Sequence, residues 1–198
     1  MALQERCFHR IRQFLENIGI TVSIAPLPAD GFLAHTYIRG NHIFCKDTSE
    51  ETLGEILHEA GHIATIPSFL RPLIDGDVES PEIRAAAEEY CLKARAMSFD
   101  PDADPTVRAI IQADDVSATA WSYAAAIAAD VPPELLITGP SAFGGQGSES
   151  AEALLIGLKT GHYIGINSLA ASKMTFTKGW ARCLGAQPFP HMQRWLQI

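Results

Sequence analysis

The chain has 198 residues, of which 47% are apolar and 19% charged, and 15 basic against 23 acidic side chains give a formal net charge of −8. This composition excludes a disordered chain, and an acidic balance without a basic stripe argues against a dedicated nucleic-acid or anionic-membrane binder. No apolar run approaches the roughly 20 residues that span a bilayer, and the N-terminus is not typical of a signal peptide. We therefore expect a cytoplasmic protein with no nucleic-acid or membrane partner.

The first 46 residues predict a helix, a strand and a hairpin. Residues 2–18 place apolar side chains at the spacing of an amphipathic helix. Residues 20–24 alternate apolar and polar side chains, which is the period of a half-buried strand. Residues 32–38 and 41–46 are rich in aromatic and β-branched side chains, and Gly40 between them predicts a hairpin turn.

A second helix is predicted from Thr48 to about Thr65. Thr48 can cap the free backbone N–H groups of the first turn, and Glu51, three residues later, completes a capping box. Pro67 then ends the helix. Its core stripe consists of Leu53, Ile56, Leu57, Ala60 and Ala64.

The rest of the chain is predicted to be mainly helical. Helices are expected at 81–97, 105–130 and about 149–159, followed by short mixed segments and a final helical turn at 192–196. The 105–130 helix is apolar or small almost all round, so we expect it to be buried. The glycine-rich loop 143–147 lacks the Gly-Lys-Ser/Thr of a phosphate-binding loop.

The cysteines are far apart in the sequence and form no CxxC pair. Their apolar surroundings are typical of reduced, buried structural thiols, and we interpret them so. They are Cys7, Cys45, Cys91 and Cys183.

The segment His58-Glu59-Ala60-Gly61-His62 has the pattern HExxH and lies on the second predicted helix. Residues four apart share one helix face, so both imidazoles can bind the same Zn²⁺ ion. Glu59 is offset by about 100° and can act as a general base, taking a proton from a water on the metal as that water attacks a carbonyl. Gly54 and Gly61 on a neighbouring face are expected to leave room for an ion and a substrate.

A catalytic zinc ion usually has three protein ligands, so the sequence must supply one more. The candidates are Glu88, Glu89, Asp114 and Asp115. Each glutamate has a cation four residues away, Arg84 for Glu88 and Lys93 for Glu89, which favours solvated ion pairs. We keep the glutamates as fallback ligands.

Asp114 and Asp115 are the stronger candidates because they lie in the middle of the predicted 105–130 helix, where an unpartnered carboxylate is costly to bury. Small residues share the face of Asp115 and would let this helix approach the His58 helix closely. They are Ala118, Thr119 and Ser122. Asp114 is nearer the apolar stripe and is expected to hydrogen-bond an imidazole N–H, although the two roles could be exchanged.

Other side chains are weaker candidates. His35 and His42 lie on predicted strands and are expected to be half-buried structural residues. A His or Tyr often contacts the oxyanion of a tetrahedral intermediate, and the sequence does not distinguish His162, Tyr163 and His191 for that role. Trp121 and Trp195 are predicted to be core residues.

These elements together resemble the ImmA/IrrE-type metallopeptidases, compact relatives of the thermolysin-like gluzincins. The resemblance covers residues 5–130 and includes the HExxH helix and the segment Asp-Val-Ser-Ala-Thr-Ala-Trp-Ser from Asp115, which matches the family's second motif with Asp in place of the usual Glu. It implies an α+β, mainly helical, zincin-like fold in which a small antiparallel or mixed sheet packs on the HExxH helix. It also implies that His58, His62 and Asp115 bind Zn²⁺ and that Glu59 is the catalytic base.

We therefore predict one domain over residues 1–198, with a zincin-like core at 1–130 and a C-terminal helical extension at 131–198 that shapes or covers the site. The 81–97 helix is interpreted as an insertion between the two motifs. The expected function is zinc-dependent hydrolysis of a peptide or protein substrate. The alternatives are a non-catalytic zinc-binding regulatory or interaction module and a helical protein without metal; the intact Glu59 favours catalysis.

Overall fold

In a computed structural model of the protein, the described residues are 3–29, 31, 33–97, 100, 103–137 and 151–198. The fold is α+β and mainly helical, as predicted. Its α-helices are α1 (Leu3–Asn17), α2 (Glu50–Thr65), α3 (Pro81–Met97), α4 (Pro105–Ile111), α5 (Asp115–Ala128), α6 (Ala151–Thr160), α7 (Ile164–Ala171) and α8 (Lys178–Leu184). The strands are β1 (Thr21–Ile24), β2 (Thr36–Arg39) and β3 (His42–Cys45).

The strands of the described residues form one small mixed sheet in the order β1-β3-β2. β2 and β3 are antiparallel and form the predicted hairpin, whereas β1 is parallel to β3. Val22, Ile43 and Ile38 stand side by side across the three strands, and each is at most 1% exposed. Both β2 and β3 contact α2, so one face of the sheet and α2 share the core.

The start of α2 differs from the prediction by one residue. Ser49, not Thr48, is the N-cap, and its hydroxyl accepts a hydrogen bond from the backbone N–H of Thr52. Asp47 supports this cap because its carboxylate accepts from the N–H of Ser49 and from the Thr52 hydroxyl. The predicted Thr48–Glu51 capping box is therefore wrong.

The predicted continuous helix at 105–130 is also wrong, because the chain breaks into α4 and α5. Asp114 causes the break: it is the N-cap of α5, and its carboxylate accepts from the backbone N–H of Ser117 in a capping box. Asp114 and Asp115 are consequently exposed, at a helix start, and not buried in mid-helix. Residues 117–126 of α5 are buried as predicted, and Trp121 is fully so, but Ile127 is 44% exposed.

Three other predicted helices are confirmed, whereas the predicted C-terminal helical turn is wrong. α1, α3 and α6 lie where helices were predicted, but α3 buries only Ile83 of its apolar stripe, and Met97 is 88% exposed. No helical turn forms at 192–196; Met192 instead forms an isolated bridge with Thr175. The predicted loop at 143–147 lies outside the described residues.

The cysteines are free, as predicted, but their burial is not uniform. Cys7 and Cys45 are buried, Cys91 is half-buried and Cys183 is exposed, so the prediction of four buried thiols is wrong for the last. None of the helices in the described residues has the length and apolar character needed to cross a membrane.

Arg71 and Gln197 form hydrogen bonds with the backbone at the C-terminal end of α2. The carbonyl of Ile63 would ordinarily accept from residue 67, but Pro67 has no N–H, and the buried Arg71 supplies that donor through Nε at 3.0 Å. Arg71 Nη2 also donates to the carbonyls of Ile66 and Gln197. The N–H of Gln197 in turn donates to the carbonyl of Ala64 at 2.8 Å. Burial lowers the pKa of Arg71.

Replacing Arg71 by Met should lower the free energy of unfolding by about 2–4 kcal/mol, because it leaves buried carbonyls at the end of α2 without a donor. Urea denaturation of the two proteins measures this loss. Arg84→Met is the matched control, since Arg84 is exposed and pairs with the exposed Glu79; its effect should stay within about 0.5 kcal/mol. Equal effects of the two substitutions would show that Arg71 does not cap α2.

Candidate metal centre

The HExxH segment lies in the C-terminal half of α2, and the side chains of His58, Glu59 and His62 converge. His58 and Glu59 are each only 7% exposed, and the His62 side chain is 12% exposed. One nitrogen of each imidazole and one carboxylate oxygen of Glu59 all lie within 4.8 Å of one another. The group is therefore close enough to bind a metal ion.

α5 packs against α2 with its backbone close to the site. A Cβ placed on Gly61 would lie 2.6 Å from the carbonyl oxygen of Ala118, so only glycine permits this approach. One turn away, the Ser122 hydroxyl donates to the carbonyl of Leu57 at 2.9 Å. The close approach predicted from the small residues after Asp115 is confirmed.

The predicted role of the two glycines on α2 is wrong. They do not leave space for an ion or a substrate, because backbone from other segments fills it. A Cβ on Gly54 would lie 2.8 Å from the carbonyl oxygen of Leu136, as one on Gly61 would meet Ala118. The glycines instead allow tight packing of backbone against α2.

The close packing of α5 brings Asp115 to the two histidines. Its Oδ1 is 3.2 Å from His62 Nε2 and 3.5 Å from His58 Nε2, and the two imidazole nitrogens are 3.1 Å apart. A tetrahedral ion with bonds of about 2.0–2.1 Å holds its ligands about 3.3 Å apart. The three atoms therefore form a triangle of the size that such an ion requires.

Asp115 favours the protonated form of both histidines, and burial opposes it. Hydrogen bonds from His58 and His62 hold the pKa of the Asp115 carboxyl well below its usual range. Burial lowers the pKa of His58 despite this carboxylate. Burial also opposes protonation of His62, but the hydrogen bond to Asp115 and the charge of Glu59 raise its pKa overall. The negative charge of Asp115 thus favours a positive charge beside it, as a proton on His62 or as a cation.

Glu59 is in the opposite situation. Burial raises the pKa of its carboxyl to about 7, and the neighbouring charges of Glu55, Asp115 and Asp77 add to the effect, while His62 opposes it. A carboxyl with a pKa near neutrality can both accept and return a proton at neutral pH. Asp77, in the loop before α3, was not identified from the sequence as a neighbour of the site.

The remaining ligand candidates lie elsewhere. Asp114 caps α5 through Ser117, so the predicted hydrogen bond to an imidazole is replaced by a backbone contact. Glu88 and Glu89 are exposed on α3, where Glu89 pairs with Lys93 at 2.5 Å. Within the described residues, neither glutamate belongs to the group of side chains close enough to hold a metal ion, which consists of His58, Glu59 and His62.

His42 lies on β3 and His35 just before β2, and both residues are half-buried, as expected. The His42 ring stacks on Phe44, and its Nε2 is hydrogen-bonded to the hydroxyl of Ser23. The backbone N–H of His35 donates to the Glu55 carboxylate, which also accepts from the Thr36 hydroxyl. Glu55 thereby ties α2 to the start of β2, one turn before His58, and sequence reasoning missed it because a single glutamate on a helix carries no distinguishing pattern.

The surroundings of His162, Tyr163 and His191 give no support for contact with an oxyanion. His162 and His191 are exposed, and the His162 ring bonds the Thr160 hydroxyl. Tyr163 is half-buried at the N-cap of α7.

Comparison of the chain with protein-family models, curated proteins and solved structures finds no match.

In metal-free protein, Glu59→Gln should raise the free energy of unfolding, and the gain should grow with pH. Glu59 binds its proton more tightly folded than unfolded, so wild-type stability falls as pH rises from about 4.5 through about 7. The glutamine amide does not ionise, so the variant does not lose this stability. The expected gain in the free energy of unfolding is about 2–3 kcal/mol at about pH 8 and under about 1 kcal/mol at about pH 5. Chemical denaturation in chelator at both pH values measures the difference.

Glu88→Gln is the matched control, because Glu88 is exposed on α3. It should change the stability by less than about 0.5 kcal/mol at both pH values. A gain for Glu59→Gln that does not depend on pH would contradict the assigned titration of Glu59.

Proposed function

We propose that the protein is a zinc-dependent peptidase in which His58, His62 and Asp115 hold the ion and Glu59 is the general base. One observation carries the proposal: three ligand atoms converge within 3.1–3.5 Å of one another beside a buried carboxyl. The HExxH pattern on a helix, and the resemblance of residues 5–130 to the ImmA/IrrE-type metallopeptidases, give the same interpretation.

The donor set favours zinc over other cations. Two imidazole nitrogens and one carboxylate oxygen at tetrahedral spacing are the ligands of catalytic zinc sites, whereas Mg²⁺ and Ca²⁺ prefer a larger set of oxygens. Three protein ligands leave the fourth position for water or substrate. The Asp115 side chain is 54% exposed, so this side of the site opens toward solvent.

Each of the four site residues would have its own part in peptide hydrolysis. When bound, zinc supplies a Lewis acid that polarises the scissile carbonyl and makes water a stronger acid. Glu59 lies within 4.8 Å of the imidazole nitrogens, where its carboxylate can take the proton from the attacking water and return it to the leaving amine. The two imidazoles act as neutral nitrogen donors, and Asp115 neutralises one charge of the ion.

Protein purified without added metal should contain about one zinc ion per chain, measured by elemental analysis. His58→Ala and Asp115→Ala should each lower zinc affinity at least about a hundredfold, since loss of a direct ligand exceeds the 10- to 100-fold cost of losing an outer contact. Glu88→Ala and Glu89→Ala are the controls and should bind as the wild type does. A wild type that stays free of zinc after reconstitution would refute the metal site.

Catalysis has a separate test. Glu59→Gln should keep its zinc and lower the rate of peptide cleavage by about 10²–10⁴, the usual contribution of a general base. A mixture of unmodified peptides, followed by mass spectrometry, avoids assuming a specificity. If the wild type binds zinc but cleaves nothing, or if Glu59→Gln cleaves equally well, the site belongs to a non-catalytic zinc-binding module or to another mechanism.

A further inference from the structure

Near the start of α7, Gly165 places its backbone directly against the first turn of α5. A Cβ at this position would lie 1.8 Å from the carbonyl oxygen of Val116 and 3.1 Å from the backbone nitrogen of Ser117. Real Cβ atoms essentially never approach within 3.0 Å, so the helices would have to part by at least about 1.2 Å to admit one. The absence of a side chain at residue 165 is therefore what allows α7 to sit at this distance.

This contact is one residue away from a candidate metal ligand. Asp115 precedes Val116 in the first turn of α5, and its Oδ1 lies 3.2 Å and 3.5 Å from the nitrogens of His62 and His58. Metal–ligand bonds tolerate deviations of only about 0.2 Å. A displacement of this turn by even half of the required separation would remove the carboxylate from bonding distance.

The first turn of α5 also depends on its neighbours for support. It begins at Asp115 after the break that follows α4, so no preceding helical turn holds it in place. α7 packs against both α4 and α5 and thus bridges the break. Gly165 is the point at which the bridging helix meets the backbone of the ligand-bearing turn.

We propose that Gly165 is a positioning residue that seats α7 against α5 and thereby holds Asp115 in register with both imidazoles. The inference rests on the proposed zinc site and deepens it. It gives the C-terminal part of the chain a defined task, which is to fix the one ligand that does not lie on α2.

The test is the zinc affinity of Gly165→Ala, measured by competition with a chromophoric chelator. We expect a loss of about 10- to 100-fold. Gly179→Ala is the matched control, because a Cβ at Gly179 on α8 meets no atom within 4 Å. It should bind zinc as the wild type does. Equal affinity of Gly165→Ala and the wild type would overturn the inference.

A double-mutant cycle separates positioning from general damage. If Gly165 acts through Asp115, Gly165→Ala should have no further effect on zinc affinity once Asp115 has been replaced by Ala. A merely structural role would lower the affinity by the same factor in both backgrounds, and that result would contradict the proposal. Failure of the wild type to bind zinc at all would instead refute the proposed function.

A measurement on the wild type covers the case in which Gly165→Ala does not fold. Because coupling between two sites is reciprocal, zinc binding should slow amide hydrogen exchange in α7 as well as in α2 and α5. The same experiment on Asp115→Ala should show no such slowing in α7. Unchanged exchange of the α7 amides in zinc-loaded wild type would overturn the inference.

Discussion

α2 and α5 touch through their backbones where Gly61 meets Ala118, and the candidate site depends on this contact. Any side chain at residue 61 would push the two helices apart. At their present separation, the short carboxylate of Asp115 reaches both imidazole nitrogens.

The site places unfavourable groups in the core, and the surroundings compensate for them unequally. The end of α2 is well satisfied, because Arg71 and the backbone of Gln197 supply donors to its last carbonyls. Glu59 is buried among charges that are mostly negative. A cation held by the neighbouring imidazoles would relieve this repulsion and would lower the cost of ionising Glu59. The local instability thus belongs to the chemistry proposed for the site, as is common for functional residues.

The sequence predicted most of the helices and the contact between α2 and α5, but it missed the break before α5 and several contacts between distant segments. The helical spacing of His58 and His62 and the small residues after Asp115 were sufficient to predict which faces of α2 and α5 meet. The break before α5 was missed because its apolar residues dominated the pattern, although the spacing of Asp114 and Ser117 fits a helix cap. β1 pairs with β3 in parallel, and Gly165 of α7 packs against the start of α5. Both contacts join distant segments, and no local periodicity of the sequence predicts them.

The order of the three candidate ligands along the chain has a thermodynamic consequence. About 50 residues separate His62 from Asp115, and this segment includes α3, which buries little of its surface. An ion bound to both residues would act as a cross-link that closes this segment into a loop, in a protein whose cysteines are all free. Because a coordinated ion is released when its ligands separate, it would stabilise the fold by its free energy of binding to the folded state. The ion proposed for the site would therefore also hold together the two ends of the segment that contains α3.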